Sequence, residues 1–153
     1  MATEWLGQLG LGLTLGLAAT GSALGIGAAG RAAAGAWAKE AREGKPLNFK
    51  YIILAAMPLT QTFYAFVLML VALKSAAYGA AAAANAGALF SIGIGCGLGE
   101  LSSAWMQGAI CASAVRAMAE GEGKPFIFSV IAMGLAETVG IFSFVLMLLM
   151  MPK

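Results

Sequence analysis

The hydrophobic residues of this chain fall into four long stretches that are separated by short polar links. The stretches run over about residues 9–38, 51–73, 86–115 and 126–150. A helix needs about 20 apolar residues to cross the ~30 Å hydrocarbon core of a bilayer, and each stretch is long enough. The pattern predicts an all-α membrane protein with four transmembrane helices.

The polar links predict how the chain is oriented in the membrane. The first link, AKEAREGKPLNFK, and the third, VRAMAEGEGKP, are rich in Lys and Arg, whereas the middle link carries only Lys74. By the positive-inside rule the two charged links face the cytoplasm, and both termini face outward. Residues 1–8 carry only the charge of Glu4 and lack the positive leader of a signal peptide, so we expect the first helix to be retained.

The four stretches are of two kinds. Gly, Ala and Ser recur in the first and third at spacings of three and four, as in GSALGIGAAG and GIGCGLGELSSA. Small residues let helix backbones approach closely, which drives helices together in lipid. The second and fourth stretches carry Phe, Leu, Met and Val instead. An inner layer of small residues and an outer apolar layer favour a ring of many copies over a compact four-helix monomer.

The chain contains an internal duplication. Gly-Lys-Pro occurs at 44–46 and again at 123–125, and each is followed by an apolar stretch that ends in Phe-Val-Leu-Met-Leu. The repeat predicts two tandem helical hairpins in the same orientation, residues 1–79 and 80–153.

The overall composition narrows the function. Hydrophobic residues make up 61% of the chain and charged residues 10%, with a mean hydropathy of +0.88 and a net charge of +2, so a nucleic-acid partner is not expected. The absence of His and Asp leaves poor material for an active site, and we expect a non-catalytic protein without a cofactor. Cys96 and Cys111 are interpreted as small buried side chains.

One carboxylate stands out in the fourth stretch. Glu137 lies about eleven residues into its helix, at a depth of ~16 Å, near the middle of the bilayer. An ion at this depth costs several kcal/mol, so the carboxylate should be protonated, bound to a cation or paired with donors. In the duplication, Gln61 occupies the position that corresponds to Glu137.

Several oxygen-bearing groups lie at a similar depth. Thr60, Gln61 and Gln107 are nine or ten residues from the charged links, which places them at roughly the depth of Glu137. Pro58 cannot donate to the Leu54 carbonyl, so the Met57 carbonyl can turn toward an ion. Such oxygen ligands suit a small hard cation, and the Tyr64 hydroxyl, one turn beyond Thr60, can reach the carboxylate.

With these residues in place, the whole chain resembles the proteolipid, or K subunit, of V-type ATPases, a duplicated four-helix rotor-ring subunit. The resemblance rests on Pro58-Leu59-Thr60-Gln61 with Tyr64, on Gln107-Gly108 and on Ala136-Glu137-Thr138. Sodium-translocating members hold the ion with a threonine, two glutamines, a backbone carbonyl and a glutamate that a tyrosine closes. The matching groups here are Thr60, Gln61, Gln107, the Met57 carbonyl, Glu137 and Tyr64.

The resemblance implies Na⁺ rather than H⁺ as the transported ion, because proton-translocating relatives commonly lack the Thr-Gln pair. It also implies a homo-oligomeric ring within membrane lipid, a central stalk that docks on the cytoplasmic turns, and a stator subunit that brings an arginine near Glu137. ATP hydrolysis or synthesis would occur on other subunits. We expect the host membrane to be a bacterial plasma membrane.

Some alternatives stay open. A self-contained secondary ion-coupled transporter or a tetraspan structural or channel protein would also have four helices. Glu100, two turns outward from Gln107, does not belong to the family pattern. It could line the ring's inner pore, pair with a neighbour, stay protonated or form a second ion stop.

Overall fold

The computed structural model describes residues 3–152, so the residues at the outer ends of the two predicted hairpins, 1, 2 and 153, lie outside the described residues. The described chain contains four long helices, each apolar enough to cross a membrane, as the sequence predicts. They are α1 (Glu4–Arg42), α2 (Lys50–Ala77), α3 (Ala82–Glu120) and α4 (Phe126–Leu149).

Three of the helices extend beyond their predicted apolar spans. Helices α1 and α3 each contain 39 residues, about twice what a bilayer core requires. Their extra turns contain charged residues such as Lys39 and Arg42, which are compatible with a helix but not with hydrocarbon. Hydropathy marks the part of a helix that lies in lipid, and the helix itself continues into the polar region.

Helices α1 and α3 run parallel to each other in close backbone contact. A Cβ atom on Gly93 would lie 2.8 Å from the Cα atom of Gly10, and a Cβ on Gly108 would collide with the backbone of Gly25. Because the contact points rise in the same order along both helices, the two hairpins have the same orientation. The predicted parallel repeat therefore holds, and the small residues are what permits this approach.

Helices α2 and α4 pack on the outside of this pair. Of the described residues of α4, only Met133 and Gly140 are fully buried, whereas Phe128 and Leu135 are exposed. Helix α2 likewise exposes Phe63 and other large apolar side chains. An exposed apolar face of this kind is suited to lipid. The two layers expected from the residue composition are thus present within one protomer.

Helix α2 changes its pitch at Pro58. The residues Met57–Leu59 form a 3₁₀ turn between two α-helical segments. The Pro58 carbonyl accepts a hydrogen bond from Ser22 Oγ of α1 at 2.5 Å, and Thr62 Oγ1 donates to Ser22 Oγ at 2.7 Å. Proline therefore breaks the regular ladder, and α1 holds the irregular turn in place.

The two charged links lie at the same end of the bundle. They border a cavity of about 420 Å³, to which Glu40 and Asn48 contribute from the first link and Glu122 from the second. A hydrogen bond from Lys45, 2.7 Å away, lowers the pKa of the exposed Glu43 carboxyl. The assignment of this end to the cytoplasm remains a prediction.

Candidate ion-binding site

Glu137 lies on α4 where that helix meets α2 and α3. Its carboxylate is half-buried and accepts two hydrogen bonds. The Tyr64 hydroxyl donates to Oε1 at 2.9 Å, and Gln107 Nε2 donates to Oε2 at 3.4 Å. Both donors are neutral, so neither supplies a positive charge to pair with the carboxyl group.

The two glutamines meet beside this carboxylate. Gln61 Nε2 donates to Gln107 Oε1 at 3.2 Å and to Ser103 Oγ at 3.1 Å. Gln107 Nε2 also donates to the Met133 carbonyl at 3.2 Å, and both glutamines are fully buried. Their amide groups thus join α2, α3 and α4 in one polar network within an apolar bundle.

Thr60 lies close to two further oxygen atoms of the site, the Met57 carbonyl oxygen and Gln61 Oε1. Its Oγ1 atom lies 3.0 Å from the Met57 carbonyl oxygen and 3.1 Å from Gln61 Oε1. The pairing with the Met57 carbonyl occurs within the 3₁₀ turn that Pro58 imposes. The structure therefore brings together all six groups singled out from the sequence.

Helical spacing explains the convergence. Met57, Thr60, Gln61 and Tyr64 are separated by three or four residues, so they share one face of α2. Gln107 follows Ser103 on α3 by four residues, which places both side chains on the face toward α4. The aromatic ring of Tyr64 stacks on Phe144 of α4 with a centroid separation of 6.0 Å, and this contact orients its hydroxyl.

Glu100 is also fully buried, on the face of α3 that carries Gln107. Within the protomer the carboxyl group is therefore not exposed to solvent, and the roles suggested for it from the sequence stay predictions. Neither carboxylate oxygen has a hydrogen-bond partner among the described residues. Helical periodicity correctly placed Glu100 on the same face of α3 as Gln107, but it could not show that α4 covers Glu100.

Three hydroxyl groups at the site escaped the sequence reasoning. Ser103 Oγ accepts from Gln61 and donates to the Ala136 carbonyl at 2.8 Å, while Ser22 and Thr62 hold the turn at Pro58. The spacing of Ser103 to Gln107 was a usable signal. Ser22 belongs to a different helix, and only packing shows its role.

The site brings together oxygen atoms of the kinds that ligate cations in proteins. One carboxylate, one hydroxyl, one backbone carbonyl and the glutamine amide oxygens surround the meeting point of three helices. Such groups are ligands for small hard cations, and the single negative charge balances one positive charge.

Comparison with known proteins agrees with the duplication and the membrane fold. The ATP synthase C-subunit family matches the chain over residues 9–72 and again over residues 90–150. The A-type ATP synthase subunit K of Methanocaldococcus jannaschii is 32% identical over 153 residues, an alignment that covers 95% of this chain and 61% of that protein. The chain thus spans about three fifths of the length of this relative. Proteins of this kind are non-catalytic membrane rotor components, and catalysis occurs elsewhere in their complexes. The two matches together cover most of the chain, which therefore belongs to the ATP synthase C-subunit family.

Proposed function

We propose that this protein is the rotor-ring proteolipid of a V-type or A-type rotary ATPase and that it carries Na⁺ rather than H⁺. Each protomer would bind one ion reversibly at Glu137 as the ring turns. The observation that carries the proposal is the convergence of Glu137 with Thr60, Gln61 and Gln107 at the junction of three helices. A proton needs one acceptor only, whereas this arrangement supplies several.

The oxygen separations are compatible with ligation of a sodium-sized ion. Oxygen ligands about 2.4 Å from one cation lie roughly 3.0–3.4 Å from their neighbours. Thr60 Oγ1 lies 3.0 Å from the Met57 carbonyl oxygen and 3.1 Å from Gln61 Oε1, within that range. An incoming ion would displace the Gln107 Nε2 contact to Glu137, the longest in the network at 3.4 Å, and allow the amide to present its oxygen.

Tyr64 would act as the gate of the site. Its hydroxyl holds the Glu137 carboxylate against α2, which keeps the ligands together while the protomer faces lipid. Release then requires that this hydrogen bond break. A stator arginine near Glu137 would displace the ion and compensate the carboxylate, because a buried charge without a partner is costly.

The fold supports a place in a ring. Helices α1 and α3 pack through small residues on the inside, and α2 and α4 present large apolar side chains outward. The paired charged links at one end offer a polar surface on which a central stalk would dock. Rotation would be driven by ATP hydrolysis in other subunits, or would drive ATP synthesis there.

Carbodiimide labelling of the purified oligomer tests the proposal. Carbodiimides attack protonated carboxyl groups, so bound Na⁺ should protect Glu137. At fixed pH, labelling of Glu137 mapped by mass spectrometry should fall as Na⁺ is raised, and the same concentration of choline should have no effect. Labelling of Glu137 that is independent of Na⁺ would indicate a proton-carrying ring, and the absence of labelling at Glu137 would contradict the site.

A further inference from the structure

Glu100 is the fully buried ionisable side chain that the proposed site leaves unused. It is fully buried on α3, and neither of its carboxylate oxygens meets a hydrogen-bond donor or acceptor among the described residues. Glu137, by contrast, accepts hydrogen bonds from Tyr64 and Gln107. A buried carboxyl group without protein donors must be neutralised, either by a proton or by a bound cation.

Gly140 makes the space in which this carboxylate lies, and Gly99 lets Ser143 of α4 approach α3 closely. A Cβ atom on Gly140 would lie 2.6 Å from Glu100 Oε2 and 3.0 Å from Ser103 Oγ, so only a glycine fits there on α4. A Cβ on Gly99 would collide with the Ser143 hydroxyl. The carboxylate and the Ser103 hydroxyl thus face the same small space against Gly140, with Ser143 one turn further along α4.

The hydroxyl groups around this space are suited to binding a cation. Ser103 Oγ directs its proton to the Ala136 carbonyl at 2.8 Å, which leaves its oxygen as an acceptor. Ser143 Oγ is 3.4 Å from both the Gly95 and the Cys96 carbonyl oxygens, contacts long enough to yield to an ion. No Lys or Arg side chain among the described residues contacts Glu100.

We propose that Glu100, Ser103 and Ser143 form a second cation site that takes one Na⁺, so that each protomer holds two sodium ions at separate carboxylates. The two carboxylate oxygens and the two hydroxyls would supply four hard ligands. Ser103 Oγ also accepts a hydrogen bond from Gln61 Nε2. Because Gln61 donates to Gln107 as well, it connects Ser103 to the polar network around Glu137. The inference rests on the proposed function, because it concerns the cargo of the same rotor.

Equilibrium binding of radioactive sodium to the purified oligomer tests the second site. The wild-type protein should bind two ions per protomer, Glu100→Gln should bind one, and Glu137→Gln should bind one. The matched control is Glu120→Gln, on the same helix but exposed, and it should bind two. Glu100→Asp keeps the charge on a shorter side chain, so it should still bind two ions, one of them at least tenfold more weakly.

The outcomes separate this proposal from the function on which it rests. One ion in the wild type, kept in Glu100→Gln and lost in Glu137→Gln, would overturn the second site and leave the Glu137 site intact. One ion that is lost only in Glu100→Gln would overturn both the pair of sites and the role of Glu137. If Glu100→Gln does not assemble, Glu100→Asp still tests the second site. One sodium ion per Glu100→Asp protomer, bound with wild-type affinity, would also overturn the proposal.

Discussion

Removal of the Tyr64 hydroxyl isolates the contribution of the gate. In Tyr64→Phe the ring can keep its stacking on Phe144, at a centroid separation of 6.0 Å, so the packing between α2 and α4 is retained. What is lost is the 2.9 Å hydrogen bond to Glu137 Oε1. The variant therefore tests a polar contact with little change in the apolar one.

The size of the effect follows from that hydrogen bond. A hydrogen bond to a charged group contributes about 1.5–3 kcal/mol, and partial exposure of Glu137 places this one near the lower end. Since about 1.4 kcal/mol corresponds to a factor of ten, the Na⁺ concentration for half-protection of Glu137 should rise about tenfold.

The assay is protection of Glu137 from carbodiimide over a Na⁺ titration at fixed pH. Tyr78→Phe is the matched control, because Tyr78 is exposed beyond the end of α2 and should behave as wild type. Equal half-protecting concentrations in Tyr64→Phe and the wild type, with both oligomers intact, would refute a gating role for the hydroxyl.

Three further predictions concern the Thr60 hydroxyl as a ligand, the competition between Na⁺ and H⁺ for Glu137, and the packing of α3 against α1. Thr60→Val, which keeps the shape and removes the hydroxyl, should weaken sodium protection of Glu137 about tenfold, whereas Thr60→Ser should not; similar titrations of the two would exclude the hydroxyl as a ligand. Lowering the pH by one unit should raise the half-protecting Na⁺ concentration by up to about tenfold, because both cations bind one carboxylate, and a pH-independent value would show that they do not compete. Gly108→Ala should destabilise the bundle by about 1–3 kcal/mol, seen as a lower thermal transition of the oligomer, because its Cβ collides with Gly25. Gly87→Ala, with open space around it on the same helix, should not do so, and equal transitions would contradict the packing.

Hydropathy and spacing predicted most of the fold. Lipid imposes a minimum length on each span, and the Gly and Ala repeats in the first and third stretches indicated the pair that packs as α1 and α3. The helix ends were less predictable. Charged residues such as Lys39 and Arg42 belong to the helix although they are too polar for the hydrocarbon core. Composition therefore could not show where α1 ends.

The convergence of Gln61 and Gln107 with Glu137 could be predicted because depth depends only on residue count within a helix. The individual atomic contacts could not be predicted, because packing sets the rotation of each helix about its axis. Ser103 is the clearest case: its hydroxyl links Gln61 to the Ala136 carbonyl, a contact that requires all three helices in place. The burial of Glu100 depends likewise on Gly140, on another helix.

ATP-driven sodium uptake by membrane vesicles that contain the complete complex tests the central claim most directly. Radioactive sodium should enter on addition of ATP, a protonophore should not reduce the uptake, and Glu137→Gln should abolish it. Uptake that a protonophore abolishes, or that persists in Glu137→Gln, would contradict sodium transport at this glutamate.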